Sequence, residues 1–364
     1  MKTLTYMDRT TTDAIKGLAL ICMFAHHFFT FPSFLIGGIS YPWIQEFADH
    51  FCVPFKICVP VFAFLTGYFY AFSSRRTLGN SIRKITDLYL SYWVVYLVLL
   101  AASVALGCYG FSLYCFAYEM TAVRTDIMVF CWYLLFYTCS MILLPLLTRS
   151  REASPAEDVL LLLILPVVMT DALEYFQLQG LAQMLLIYIH DWFPCIASGY
   201  LCAKYAVFEN FFDRAANRFQ SKASRILINL ILIAAAMMGR YYCQFLHFGT
   251  LEIRTGMFSV SYTADIFYAP MFVYGCGKLL QTIKESVFIR ILGKIGQQSM
   301  LMWFFHCAFF NVTREVFQPI LYWPKNPVLV MIWGLILCYI PSILLDPVIQ
   351  AIRKQKNRIL RTIY

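Results

Sequence analysis

The chain has 364 residues, of which 60% are hydrophobic and only 13% charged, and its mean hydropathy is +0.66. That balance excludes a soluble or disordered protein and predicts an all-α, polytopic integral membrane helix bundle built as one domain, 1–364. The net charge of +9 does not indicate a nucleic-acid partner, because Lys and Arg sit in short loops between apolar runs, where they orient spans in a membrane.

Hydropathy predicts about ten transmembrane helices, near 12–30, 52–73, 86–107, 127–147, 158–172, 180–203, 226–244, 264–282, 297–316 and 327–348. With both termini cytoplasmic, the inner stretches hold 22 of the 29 Lys and Arg and the outer side holds 6, as the positive-inside rule requires. The first apolar run carries an internal lysine and two histidines and lacks a small-residue cleavage signal, so it reads as a span and not a signal peptide. Thirteen cysteines are scattered, mostly inside apolar runs and without a C-x-x-C pair. They read as small packing residues, with no disulfide framework and no metal site.

The first span is the most informative. It contains Asp13, Lys16, His26 and His27 in otherwise apolar sequence. Residues eleven apart on a helix return to within about 20° of one another, so Lys16 and His27 share a face, with roughly 16 Å of helix between them. Arg9 and Asp13 lie near the same line, while His26 points about 100° away. Ionisable groups in a membrane helix are costly and usually face a bundle interior or a wet cavity. An Asp13–Lys16 ion pair at i,i+3 is the structural alternative for Lys16.

In the second span Pro60 predicts a kink, and Thr66-Gly67 offers a hydroxyl beside a point of close approach. A basic inner loop follows, with Arg75, Arg76, Arg83 and Lys84. The outer loop at 108–126 is rich in aromatics and carries Glu119, Arg124 and Asp126. The fourth span opens Cys131-Trp132-Tyr133-Leu134, where the aromatic pair also fits an interfacial belt. His190 and Asp191 fall inside the sixth span; adjacent helical positions do not share a face, so each needs a partner elsewhere. The stretch from Arg240 to Asp265, with His247, Glu252, Arg254 and Tyr262, is placed outside as the longest external loop. The ninth span holds Ser299 and His306, seven apart on one face. A basic segment, Arg353 to Arg358, closes the last span as a cytoplasmic anchor.

These motifs together resemble the bacterial membrane acyltransferases of the acyltransferase 3 type, which O-acetylate surface glycans. The first-span pattern D-x-x-R-G-x-A, with a histidine eleven residues after the arginine, is matched by Asp13, Lys16, Gly17, Ala19 and His27. Lys16 replaces the usual arginine, which keeps the charge and loses the bidentate fork. Pro60–Tyr68, with Thr66 in place of a serine, the Trp132-Tyr133 pair and Gly296–His306 follow in the family's order. The family's late tyrosine is not kept; Met302 or Trp303 stands there.

The resemblance implies transfer of an acetyl or other short acyl group from acyl-CoA, a co-substrate and not a permanently bound cofactor, to a hydroxyl of a surface or lipid-linked glycan. It also implies a prokaryotic plasma membrane location. Acyl transfer needs a base for the hydroxyl and positive charge for the developing oxyanion. His27 is the expected base, since an imidazole titrating near about 6.5 is largely neutral at pH 7. Lys16 and His306 complete the expected catalytic set, His306 orienting the acceptor or closing the cavity. The donor is expected at Lys16, Thr66, Arg75, Arg76, Arg83 and Lys84, with its phosphates at the inner surface and its pantetheine arm reaching toward His27. Membrane lipids are the surroundings, nucleic acid is not a partner, and homo-oligomerisation stays open. An exporter of a glycan or lipid-linked intermediate is the alternative, although the expected related halves are absent. An acyltransferase for a protein amine is a second alternative.

Overall fold

A computed structural model describes residues 7–31, 34–36, 51–73, 75–148, 154–218, 221–245 and 264–363. The described residues form helices joined by short turns, with no strand among them. In chain order the principal helices are α1 (Arg9–Phe29), α2 (Cys58–Ala71), α3 (Leu78–Ala105), α4 (Leu113–Met120), α5 (Trp132–Leu147), α6 (Leu165–Glu174), α7 (Leu181–Lys204), α8 (Lys222–Phe245), α9 (Asp265–Thr282), α10 (Val287–Phe305), α11 (Arg314–Tyr322) and α12 (Pro327–Ile363). Among the described residues, four helical stretches combine the length and apolarity needed to cross a bilayer: Val53–Ala71, Leu78–Ala105, Lys222–Tyr242 and Pro327–Ile359.

Local chemistry explains the helix ends. Asp8 caps α1, its Oδ1 accepting from the Thr11 N–H at 2.8 Å. A capping box on Ser154 and Glu157, with Pro155 in the first turn, starts the short helix Pro155–Val159. A π turn at Leu160–Ile164 joins that helix to α6. Pro60 does not act inside a regular helix. A 3-10 turn, Val53–Ile57, precedes α2, so the proline falls in the first α-helical turn, where its missing N–H is least costly. The predicted span at 297–316 is not one helix either. Helix α10 begins earlier, at Val287, and gives way to a 3-10 turn, His306–Phe309. Beyond that turn Asn311 and Thr313 bond the local backbone, Asn311 Oδ1 accepting from the Thr313 N–H at 2.8 Å.

The chain divides into two compact units, each discontinuous in sequence. The first comprises Met1–His26, Phe51–Ser81 and Cys139–Gln297. Its helices meet through glycines. A Cβ on Gly17 would overlap the Leu292 carbonyl, and one on Gly296 would overlap the Asp13 carbonyl, so α1 and α10 cross backbone to backbone. The pairing of α2 with α7 is equally close, with Gly67 against Ile196 and Gly199 against Phe64. The close approach expected at Gly67 is therefore present.

The first unit also buries a polar cluster. Arg240 pairs with Asp265, the two side chains being 2% and 0% exposed. Lys56 and Arg240 both stand over the Trp192 ring, at 5.9 and 6.0 Å from its centroid. The placement of Arg240 and Asp265 in an outer loop is thus corrected: both are buried, Arg240 within α8 and Asp265 as the first residue of α9. Hydropathy averaging misses a charge that is neutralised by a partner from another helix. Residues 246–263 of that stretch, which include His247, Glu252, Arg254 and Tyr262, lie outside the described residues. His190 and Asp191 also depart from expectation, since His190 Nδ1 lies 2.8 Å from its neighbour's carboxylate while Nε2 lies 3.4 Å from Asp171. Neighbouring positions diverge on a helix, but an imidazole and a carboxylate are long enough to bridge the gap.

The second unit comprises His27–His50, Ile82–Thr138 and Gln298–Tyr364. The start of α3 and the end of α12 lie together in it. Asp87 pairs with Lys356, and Arg353 Nη2 donates to the Asp87 carbonyl at 3.0 Å and to Ser91 Oγ at 2.7 Å. The end of α1 is held by α11, where Tyr322 donates its hydroxyl to the Phe28 carbonyl at 2.6 Å.

Candidate active site

His27 and His306 meet in the second unit. His27 Nδ1 lies 2.7 Å from His306 Nε2, and the ring planes differ by only 13°, as an in-plane N–H···N bond requires. His306 Nδ1 in turn bonds the Trp303 carbonyl one turn back. A carbonyl only accepts, so His306 carries its proton on Nδ1 and presents a lone pair at Nε2. His27 must then donate from Nδ1, which leaves the lone pair of His27 on Nε2. The bond to a backbone carbonyl thus selects the tautomer of two imidazoles in sequence. His306 is fully buried and His27 half-buried, so the outer imidazole is the one open to a reactant.

The pair is fixed on its faces as well as its edges. The Phe130 ring stacks on His27 with centroids 4.0 Å apart and planes 17° apart, and it also overlies His306 at 5.3 Å. Tyr133 packs edge-on against Trp303 at 5.7 Å, next to the carbonyl that sets the tautomers. Of the Trp-Tyr pair, Tyr133 thus packs on the residue whose carbonyl His306 bonds. Below them, Cys131 Sγ and Cys307 Sγ are 3.9 Å apart in the core.

The turn that carries Phe130 is itself clamped. Glu119 Oε1 accepts the backbone N–H groups of Asp126 and Ile127, the latter at 3.0 Å, and the Glu119 carbonyl accepts from Tyr92 Oη at 2.7 Å. Asn311 Nδ2 donates to the Ile127 carbonyl at 2.7 Å. Glu119 is fully buried, and burial pushes its carboxyl up to about 7, against the opposing pull of its bonds to Ile127 and Asp126.

The other residues expected at the site are distributed differently. Lys16 lies in the first unit with Nζ 3.5 Å from Asp13 Oδ1; Arg9 and Gln297 reach the other oxygen of Asp13, at 4.0 and 3.2 Å. The ion-pair alternative for Lys16 is therefore the arrangement present. The Thr66 hydroxyl donates to the Phe62 carbonyl of its own helix at 2.9 Å. Arg75 and Arg76 belong to the first unit, Arg76 donating to Tyr200 Oη at 3.3 Å, whereas Arg83 and Lys84 belong to the second. His26 lies in the first unit, buried, with Nδ1 3.3 Å from the Cys52 carbonyl.

Residues 10–346 match the family model described as an acyltransferase domain, of the acyltransferase 3 type. The chain belongs to the acyltransferase 3 family. No curated protein and no solved structure matches it. With the family established, the chain is read as a membrane acyltransferase with several apolar helices suited to crossing a bilayer.

Reasoning from sequence missed Phe130 and the clamp on its turn. Glu119 stood out only as one charge of an outer loop, and Phe130 was one aromatic among many. Asn311 and Gln318 were missed as well. Gln318 now proves to tie the Phe34 and Phe309 carbonyls, each at 2.8 Å.

Proposed function

We propose that this chain moves an acetyl or other short acyl group from acyl-CoA to a hydroxyl of a surface or lipid-linked glycan, with His27 as the general base. The observation that carries this reading is the His27–His306–Trp303 carbonyl chain, found in a member of an acyltransferase family. His27 Nε2 takes the acceptor's hydroxyl proton as the oxygen attacks the thioester carbonyl. The tetrahedral intermediate collapses with cleavage of the C–S bond, and the imidazolium returns the proton to the departing thiolate, so coenzyme A leaves as the thiol. His306 accepts from the Nδ1–H of His27 throughout and stabilises the imidazolium, as the third member of a nucleophile–base–orienter set does. In this reading His306 acts on the base, and Lys16 contributes a charge-balanced anchor with Asp13.

About ten spans with both termini cytoplasmic, in a prokaryotic plasma membrane, complete the proposal. The acyl-CoA nucleotide stays at the inner surface near Arg75, Arg76, Arg83 and Lys84, and the glycan approaches from the other side. The test is thioester turnover by purified protein in nanodiscs, with acetyl-CoA supplied with and without a lipid-linked glycan extract. Free coenzyme A released by the wild type, and reduced about 10²–10⁴-fold in His27→Ala, is the expected result. A folded wild type that cleaves neither acetyl-CoA nor other short acyl-CoAs would overturn the proposal in favour of an exporter.

A further inference from the structure

The last turns of α12 and the start of α3 border a cavity of about 900 Å³ whose lining includes Asp87, Gln350, Arg353, Lys354, Asn357 and Arg358. It lies within the second unit. Its chemistry is one-sided. Asp87 is the acidic residue among its lining groups, and that carboxylate is taken by Lys356. Arg353 is held by its two bonds from Nη2 to α3, while its Nε–H is buried with no hydrogen-bond acceptor among the described residues. A guanidinium fixed in the wall by two bonds suits an anion that brings its own oxygens. Lys354 and Arg358 add two exposed cations to the wall, and the Gln350 and Asn357 carboxamides add neutral donors. On α3, Arg83 and Lys84 precede Asp87 by four and three residues and so stand on its side of the helix. Orientation of a span requires cations at this end, but it requires neither a cavity nor an arginine locked by two bonds.

We propose that this cavity is a binding site for a phosphate-bearing anion. Arg353 is its positioned guanidinium, Lys354 and Arg358 are its outer cations, and Arg83 and Lys84 flank it from α3. Two sources present that chemistry at a membrane surface: the nucleotide end of an acyl-CoA, which rests on the function proposed above, and an anionic lipid headgroup, which does not.

The experiment uses the full chain in nanodiscs. In zwitterionic lipid, adenosine 3′,5′-bisphosphate is titrated calorimetrically; in phosphatidylglycerol-containing discs, retained lipid is counted by native mass spectrometry. The variants are Lys354→Gln with Arg358→Gln, both on exposed side chains, and Arg353→Lys, which keeps the charge and loses the planar guanidinium. The double variant should weaken one of the two probes about tenfold or more with an unchanged thermal midpoint, and Arg353→Lys should weaken the same probe less. Loss of the nucleotide signal assigns the donor, and loss of the lipid adduct assigns the headgroup. Wild-type binding of both probes by the variants, or no binding of either by the wild type, overturns the proposal. Bisphosphate binding in a protein without thioester turnover would instead count against acyl transfer and leave this site standing.

Discussion

His306→Ala is the perturbation that best separates a base from the residue that orients it. It removes the acceptor 2.7 Å from His27 Nδ1 and the link to the Trp303 carbonyl. A neutral hydrogen bond of this kind contributes about 0.5–1.5 kcal/mol and a charge-assisted one about 1.5–3 kcal/mol. Only the increment gained as His27 becomes an imidazolium counts toward the rate, and that increment is about 1–2 kcal/mol, or roughly 5- to 30-fold in kcat. The KM for acyl-CoA should stay near wild type, because the lost bond is strengthened only in the transition state. His306→Gln offers a side-chain carbonyl near the same position and should recover part of the loss. The assay is coenzyme A release at saturating acetyl-CoA and acceptor, beside His27→Ala. Two results would refute the reasoning: His306→Ala as inactive as His27→Ala, which would make His306 the base, or a folded His306→Ala with wild-type kcat.

Glu119 predicts a pH dependence of stability. Its carboxyl sits near 7 in the fold against an ordinary 4.5, so between these values the folded state holds the proton more tightly than the unfolded chain. Its stabilising contribution is complete below about 4.5 and is lost as pH rises through about 7. Glu119→Gln, which keeps an acceptor oxygen and cannot titrate, should therefore flatten the fall of Tm between pH 5 and pH 8; parallel curves for the two proteins would disprove the linkage. Gly296→Ala should destabilise by about 1–3 kcal/mol or more, because its methyl meets the Asp13 backbone. Gly293→Ala on the same helix, with open space around its Cβ, should leave the thermal midpoint equal or higher. Arg240→Ala strands the buried Asp265 carboxylate and should cost about 3–5 kcal/mol, with Arg240→Ala/Asp265→Ala recovering much of it in thermal unfolding.

The sequence by itself determined the all-helical class, the apolar runs and the family, and it singled out His27 and His306 as candidates. Apolar periodicity, cap chemistry and glycine spacing are local signals carried on a single helix. Asp8 and Ser154 mark helix starts, and Gly17, Gly67 and Gly296 mark places where backbones touch. Partnerships between distant side chains are not local. His27 and His306 are 279 residues apart, and nothing in their own segments says that one donates to the other or that the Trp303 carbonyl selects both tautomers. The same holds for Arg240 with Asp265, for Glu119 under the Phe130 turn, and for Asp87 with Lys356. Hydropathy scores each of these residues as a solitary charge to be kept in water or at a loop. Only the tertiary structure decides that a partner from another helix satisfies it, because the desolvation cost of a buried polar group is offset by geometry and not by composition.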